Sequence, residues 1–172
     1  QLAQDVENHK KKLLGKKILE VKLDGVRAVS ILYPSGKVDI FSRNGKELLN
    51  FDHLKDILRK SIDENKIKVP TVLDGEIISD NFQNLMKQIH RKVTVQNSDA
   101  CLFIFDILPF ENFKKGLYEV DYTQRSDDLL EWYQSHIIDK KKIQIIDKKL
   151  IDLDNVEGKE QFKKFNKDSI IN

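Results

Sequence analysis

The segment Ala100-Cys101-Leu102-Phe103-Ile104-Phe105-Asp106-Ile107-Leu108 holds eight apolar residues and a single carboxylate. A short apolar run of this kind, rich in aromatic and branched side chains, reads as a strand covered on both faces. It falls well short of the ~18 apolar residues that suggest a membrane-spanning helix. Such a strand obliges the remaining chain to supply neighbouring strands and a layer of helices. With 172 residues, 40% of them hydrophobic, there is material for one domain of ordinary size and too little for two substantial ones. Charged residues make up 34% of the chain yet nearly cancel, at a net +2. The lone cysteine, Cys101, excludes a disulfide framework and any multi-cysteine zinc site. No basic-then-apolar leader opens the sequence, so a soluble protein of a reducing, cytoplasmic compartment with no membrane partner is expected.

Breakers are few, with 7 Gly and 3 Pro. Residues 4–14 carry a helical pattern stopped by Gly15. Ile18–Lys22, Val26–Tyr33 and Lys37–Ser42 read as strands, the last two joined by the turn Pro34-Ser35-Gly36, giving an antiparallel hairpin or meander. Asn50-Phe51-Asp52 opens a helix with Leu54, Ile57, Leu58 and Ile62 on one face. Thr71–Ile78 is a further strand, and Phe82–Arg91 a further helix. Thr123 is expected to cap a helix to His136 with Leu129, Leu130 and Tyr133 inward. A short strand at Ile143–Ile146 and a helix from Val156 to Phe165 complete the pattern. Strands precede helices without strict alternation, which predicts an α+β fold of antiparallel sheets flanked by helices.

The densest chemistry lies in Glu20-Val21-Lys22-Leu23-Asp24-Gly25-Val26-Arg27. It sets a lysine at a strand end, an Asp-Gly turn after it, and an arginine on the next strand. A lysine becomes a nucleophile where its surroundings favour the neutral amine. An arginine nearby can grip phosphate oxygens with its fork of donors. Three further clusters follow in order: Ser42-Arg43-Asn44-Gly45, Leu73-Asp74-Gly75-Glu76, and Phe103-Ile104-Phe105-Asp106. Glu76 follows Lys22 by 54 positions (76 − 22), and Asp106 follows Glu76 by 30 (106 − 76). Each cluster alone is compatible with a charged hairpin, an exposed acid or an ordinary core aromatic. The shared order is what gives them weight.

That order and spacing resemble the covalent nucleotidyltransferases, in particular the adenylation domain of ATP-dependent DNA ligases, from about residue 16 onward. The resemblance implies that Lys22 attacks the α-phosphate of ATP to form a lysyl-AMP, whose AMP passes to the 5′-phosphate of nicked double-stranded DNA before the nick is sealed. It places Glu20 against adenine and Arg27 against the ribose or the terminal phosphates. Arg43 would approach the AMP phosphate and the nick 5′-phosphate. Glu76 would meet the ribose hydroxyls or a divalent metal, Mg2+. Phe105 would stack on adenine, and Asp106 would orient its neighbours. Ser-Arg-Asn-Gly is the DNA-ligase form, Phe82-Gln83-Asn84-Leu85 resembles a ligase helix, and Arg125 in Tyr122-Thr123-Gln124-Arg125 fits the family's structural arginine. Arg27 argues against a small RNA ligase. An mRNA-capping guanylyltransferase-like domain and a non-catalytic nucleotide- or nucleic-acid-binding domain stay open as alternatives. DNA repair, replication and recombination are the processes the resemblance implies, with a monomer as the acting form.

Other chemistries find no support. There is no glycine-rich phosphate loop, and His9, His53, His90 and His136 show no metal-ligand spacing. Lys140-Lys141-Lys142 and Lys148-Lys149 read as a solvated basic face, with weak DNA-backbone contact as the lesser alternative. The family's later Glu-Gly strand and Lys-x-Lys strand have no match, since Glu157-Gly158 sits in a helical, lysine-rich segment. Residues 1–172 are therefore expected to be a partial adenylation domain, 1–15 a leading helix and 16–172 the nucleotide-binding part, without the OB-fold. Weak ATP binding and poor self-adenylation are expected of these residues alone.

Overall fold

A computed structural model describes residues 13–64, 66–80, 86–87 and 95–170. The helices expected over 4–14 and Phe82–Arg91 lie largely outside the described residues. In chain order the elements are β1 (Lys16–Glu20), β2 (Val26–Leu32), β3 (Val38–Phe41), α1 (Asp52–Glu64), β4 (Thr71–Ile78), β5 (Cys101–Pro109), α2 (Phe110–Lys115), α3 (Tyr122–His136), β6 (Ile143–Ile145), β7 (Lys148–Asp152) and α4 (Val156–Ile170). They divide into two compact units, one of Gln1–Lys22 with Ile146–Asn172 and one of Leu23–Ile145. The α+β expectation holds.

The larger unit is a five-stranded sheet in the order β3-β2-β4-β5-β6. All neighbours run antiparallel except β5 and β6, which are parallel, so the sheet is mixed rather than wholly antiparallel. Its core face is written in period two: Ala28, Ser30 and Leu32 on β2, Leu73, Gly75 and Ile77 on β4, Leu102 and Ile104 on β5. Leu54, Leu58 and Ile62, spaced one turn apart on α1, and Leu129 on α3 join the same core, with Trp132 and Tyr133 packed at its margin. Phe51 is fully buried just ahead of α1, and its carbonyl accepts the N–H groups of Leu54 and Lys55 at 3.0 and 3.1 Å.

Two expectations change here. The run at 100–108 is not covered on both faces: Leu102, Ile104 and Ile107 are buried, while Cys101, Phe103, Phe105, Asp106 and Leu108 are half-buried. Among the described residues, the apolar sides of α1 and α3 pack on the face of Leu102 and Ile104, and the second face carries polar groups. On α3 the cap position falls to Asp121, not Thr123, and Leu130 turns outward at 43% exposure. The short helix α2 ends at Gly116, whose φ of 68° supplies the left-handed stop.

In the smaller unit β1 pairs antiparallel with β7, not with β2, setting Ile18 opposite Leu150 and Glu20 opposite Lys148. Lys148 is therefore a strand residue with a largely covered side chain, its Nζ 3.5 Å from Glu20 Oε1, rather than part of a solvated face. Leu19, Ile151 and Leu153 form the core with Leu13, Phe162 and Phe165. Gly15, at φ 70°, donates its N–H to Asp154 Oδ1 at 2.8 Å. Helix α4 extends past Phe165 to Ile170, and Glu157-Gly158 lies on it as expected. Asn155 caps it, its Oδ1 accepting the Gly158 N–H at 2.7 Å.

A Cβ on Gly158 would stand 1.8 Å from the Asp152 carbonyl oxygen, so α4 reaches β7 only because that position has no side chain. Glycine to alanine inside a helix ordinarily stabilises by up to ~1 kcal/mol. Here Gly158→Ala should instead destabilise by about 1–3 kcal/mol through overpacking, read as a lowered urea midpoint. A raised midpoint would contradict the close packing.

Candidate functional site

The second face of the larger unit's sheet gathers the polar residues of three adjacent strands. The register sets Arg27 of β2 opposite Glu76 of β4, Val29 opposite Asp74, and Glu76 opposite Phe103 of β5. Between Asp74 and Gly75 the β4/β5 pairing shifts: Gly75 pairs with Ile104, but Asp74 pairs with Asp106. Phe105 is the extra residue of a bulge. A bulge of this kind lets consecutive side chains share a face that strict alternation would divide. Phe105 and Asp106 accordingly both stand on the polar face, where the Arg27 guanidinium carbon lies 5.2 Å from the Phe105 ring centroid. Two glycines permit the strand approach. A Cβ on Gly75 would lie 2.5 Å from the Phe103 carbonyl oxygen, and one on Gly25 would lie 2.3 Å from that of Ile77.

Asp74 and Asp106 face one another across β4 and β5, an arrangement that like charges destabilise. Each carboxylate is held by its own arginine. Arg27 donates from Nε to Asp74 Oδ1 at 2.7 Å and from Nη2 to Oδ2. Arg125 of α3 donates from Nε and Nη2 to the two Asp106 oxygens, both at 2.9 Å, and from Nη1 to the Val120 carbonyl at 2.6 Å. Hydrogen bonding to Asp74 raises the Arg27 pKa above its usual value despite partial burial, with further support from the charges of Asp74, Glu76 and Asp106. Arg125 is raised in the same way, chiefly by its bonds to Asp106. Both arginines are therefore firmly cationic, and the face alternates in sign.

Of the residues singled out in the sequence, Arg27, Glu76 and Phe105 are brought together on this face. Arg43 is exposed on a tight turn after β3, where Ser42 and Gly45 close a hydrogen bond of 2.9 Å. Phe41 pairs with Val29, so this turn lies toward the Arg27 end of the sheet. Lys22 is exposed in the segment after β1, at the last position of the smaller unit, and Glu20 ends β1 beside Lys148. Besides the Arg125 fork, Asp106 accepts the Ile107 N–H at 2.9 Å. Asp74 as the partner of Arg27 was missed, although a carboxylate inside an otherwise apolar strand, Thr71-Val72-Leu73-Asp74, was the available signal. Among the described residues no group of three or more His, Cys, Asp or Glu gathers to enclose a metal. Magnesium commonly binds through one or two carboxylates, with water and substrate phosphates completing its shell. A half-buried Glu76 fits that mode and no fuller cage.

Asp106→Ala would strand Arg125, whose side chain is only 20% exposed, and should cost about 2–3 kcal/mol in unfolding free energy. Asp74→Ala should cost less, about 1–2 kcal/mol, because Arg27 is 37% exposed and water can replace part of the pair. Chemical denaturation of both variants tests this ranking. Equal losses would show that exposure does not set the strength of the two pairs.

Residues 1–170 match the family described as ATP dependent DNA ligase domain. The DNA ligase of Variola virus is 37% identical over 101 residues, 55% of this chain and 18% of the viral protein. The Vaccinia virus DNA ligase, strain Copenhagen, matches to the same extent. The solved structure Pmar-Lig_PreS3 superposes with a TM-score of 0.92 at 43% identity, covering 98% of this chain and 39% of that one. The ATP-dependent DNA ligase from bacteriophage T7, in complex with ATP, shares the fold, with a TM-score of 0.59 at 18% identity over 92% of this chain and 56% of that one. The chain thus spans less than a fifth of the curated relatives it matches and about two fifths of Pmar-Lig_PreS3. From the matched 1–170, the chain belongs to the ATP-dependent DNA ligase domain family.

Proposed function

We propose that the protein carrying this chain is an ATP-dependent DNA ligase and that these residues bind its nucleotide. The observation that carries the reading is the joint presentation of Arg27, Glu76 and Phe105 on one sheet face, with Lys22 five positions ahead of Arg27 in the chain. A flat apolar ring, a cation and an acceptor side by side suit a nucleotide's base, phosphates and ribose hydroxyls.

In this reading the neutral Lys22 amine attacks the α-phosphate of ATP. A P–N bond forms, the P–O bond to pyrophosphate breaks, and the amine loses its proton. The AMP then passes to the 5′-phosphate at a nick, regenerating the lysine, and the adjacent 3′-hydroxyl displaces AMP to close the strand. Phe105 stacks on adenine and Glu20 reads its edge. Arg27 spends Nε and Nη2 on Asp74, so the Nη1 edge is the one that meets ribose or terminal phosphate oxygens. Arg43 meets the AMP phosphate and the nick 5′-phosphate. Glu76 holds the ribose hydroxyls or serves as one ligand of Mg2+, which when bound neutralises phosphate charge. A monomer acting in the cytoplasm on nicked duplex DNA fits this chemistry, and no described helix is long and apolar enough to cross a membrane.

Intact mass spectrometry of the full reading frame after incubation with ATP and magnesium tests the proposal. One AMP adduct is expected, lost in Lys22→Ala together with nick sealing. Labelling by GTP in preference to ATP would favour guanylyl transfer. Unimpaired sealing or adduct formation by Lys22→Ala would overturn the assignment of the nucleophile.

A further inference from the structure

We infer that Tyr122 and Arg125, at the start of α3, are positioning residues that hold Phe105 in its nucleotide-facing orientation. The inference rests on the reading of Phe105 as the stacking platform for the base. Phe105 is the bulge residue of β5, and an extra residue in a bulge is left outside the regular ladder of its neighbours. The first turn of α3 supports this place from outside the sheet. The Tyr122 hydroxyl donates to the Phe105 carbonyl oxygen at 3.1 Å. On the following residue, Arg125 takes both Asp106 oxygens in a fork. A third Arg125 bond, to Val120, ties in the loop that enters the helix.

The two clamp residues also fix one another, since the Arg125 guanidinium carbon lies 5.2 Å from the centre of the Tyr122 ring. Both clamp contacts are therefore made to the bulge itself, one to the Phe105 backbone and one to the side chain beside it. A planar fork with two parallel bonds fixes direction as well as distance. α3 also has an apolar anchor apart from this clamp. Leu129 is buried in the core further along the helix, with Trp132 and Tyr133 packed against it, and those apolar contacts hold the helix on the sheet. What the polar first turn adds is the conformation of Phe105 and Asp106. On the other side, Arg27 rests over the Phe105 ring. The ring is thus set by the strand, by α3 behind its backbone, and by the cation over its face.

The test measures ATP affinity by equilibrium dialysis on the full reading frame, in a Lys22→Ala background so that no covalent step intervenes. Arg125→Gln should weaken ATP binding about fivefold, and Tyr122→Phe about threefold, as expected for residues acting through a shared contact. In a Phe105→Ala background both substitutions should change affinity by less than about twofold, because the group they position is gone. Equal losses in both backgrounds would overturn the inference, as would a lowered Tm with unchanged ATP affinity when Phe105 is present. If Phe105→Ala alone leaves ATP affinity unchanged, the stacking reading itself fails and the clamp with it, an outcome distinct from loss of the clamp alone. Should Arg125→Gln not fold, Tyr122→Phe, which removes a single hydroxyl, decides the question.

Discussion

The candidate site is organised by a repulsion that has been resolved. Asp74 and Asp106 stand opposite one another on the adjacent strands β4 and β5, and each is held by an arginine of its own. Arg27 comes from the neighbouring strand and Arg125 from the helix that follows, so satisfying the pair draws β2, β4, β5 and α3 into one arrangement. The same pairing fixes where the arginines point. Arg27 is held over the Phe105 ring, and Arg125 is held against the strand behind it.

The bulge at Phe105 is the geometric counterpart of that charge pattern. Strict alternation would send Phe105 and Asp106 to opposite faces, burying one of them in the core beside Ile104 and Ile107. One extra residue in β5 lets both stand on the polar face while Leu102, Ile104 and Ile107 keep their buried places. Gly75, directly across from the bulge, contributes by having no side chain where β4 meets the Phe103 carbonyl. A backbone irregularity and a glycine thus present the aromatic and the acid together.

Much of this was legible from residue types in order. The α1 stripe of Leu54, Leu58 and Ile62, the β2/β3 hairpin and the extent of β4 follow from local periodicity, because each is decided by which side of one element is apolar. The element that misled was the apolar run at 100–108. Hydrophobicity marks a residue as suited to burial, but it does not say whether a second layer exists to bury it. The β1/β7 pairing was equally hidden: Lys148-Lys149-Leu150-Ile151-Asp152 looks like a charged surface segment, and its partner lies far away in the chain. Asp74 was visible as a polar intrusion but not as the mate of Arg27, 47 positions earlier.

The sequence by itself determined the identities and order of the residues that line the candidate site: a lysine before an Asp-Gly turn, an arginine after it, then an acid and an aromatic on successive strands. Those are properties of neighbours along the chain, set by covalent spacing and local periodicity. The tertiary structure decided which acid holds which arginine, that Phe105 is a bulge residue, and that β1 closes on β7. These depend on register and on contacts between residues distant in sequence. A shift of one residue in pairing exchanges the faces of a strand, and no local pattern states which register the folded chain will adopt.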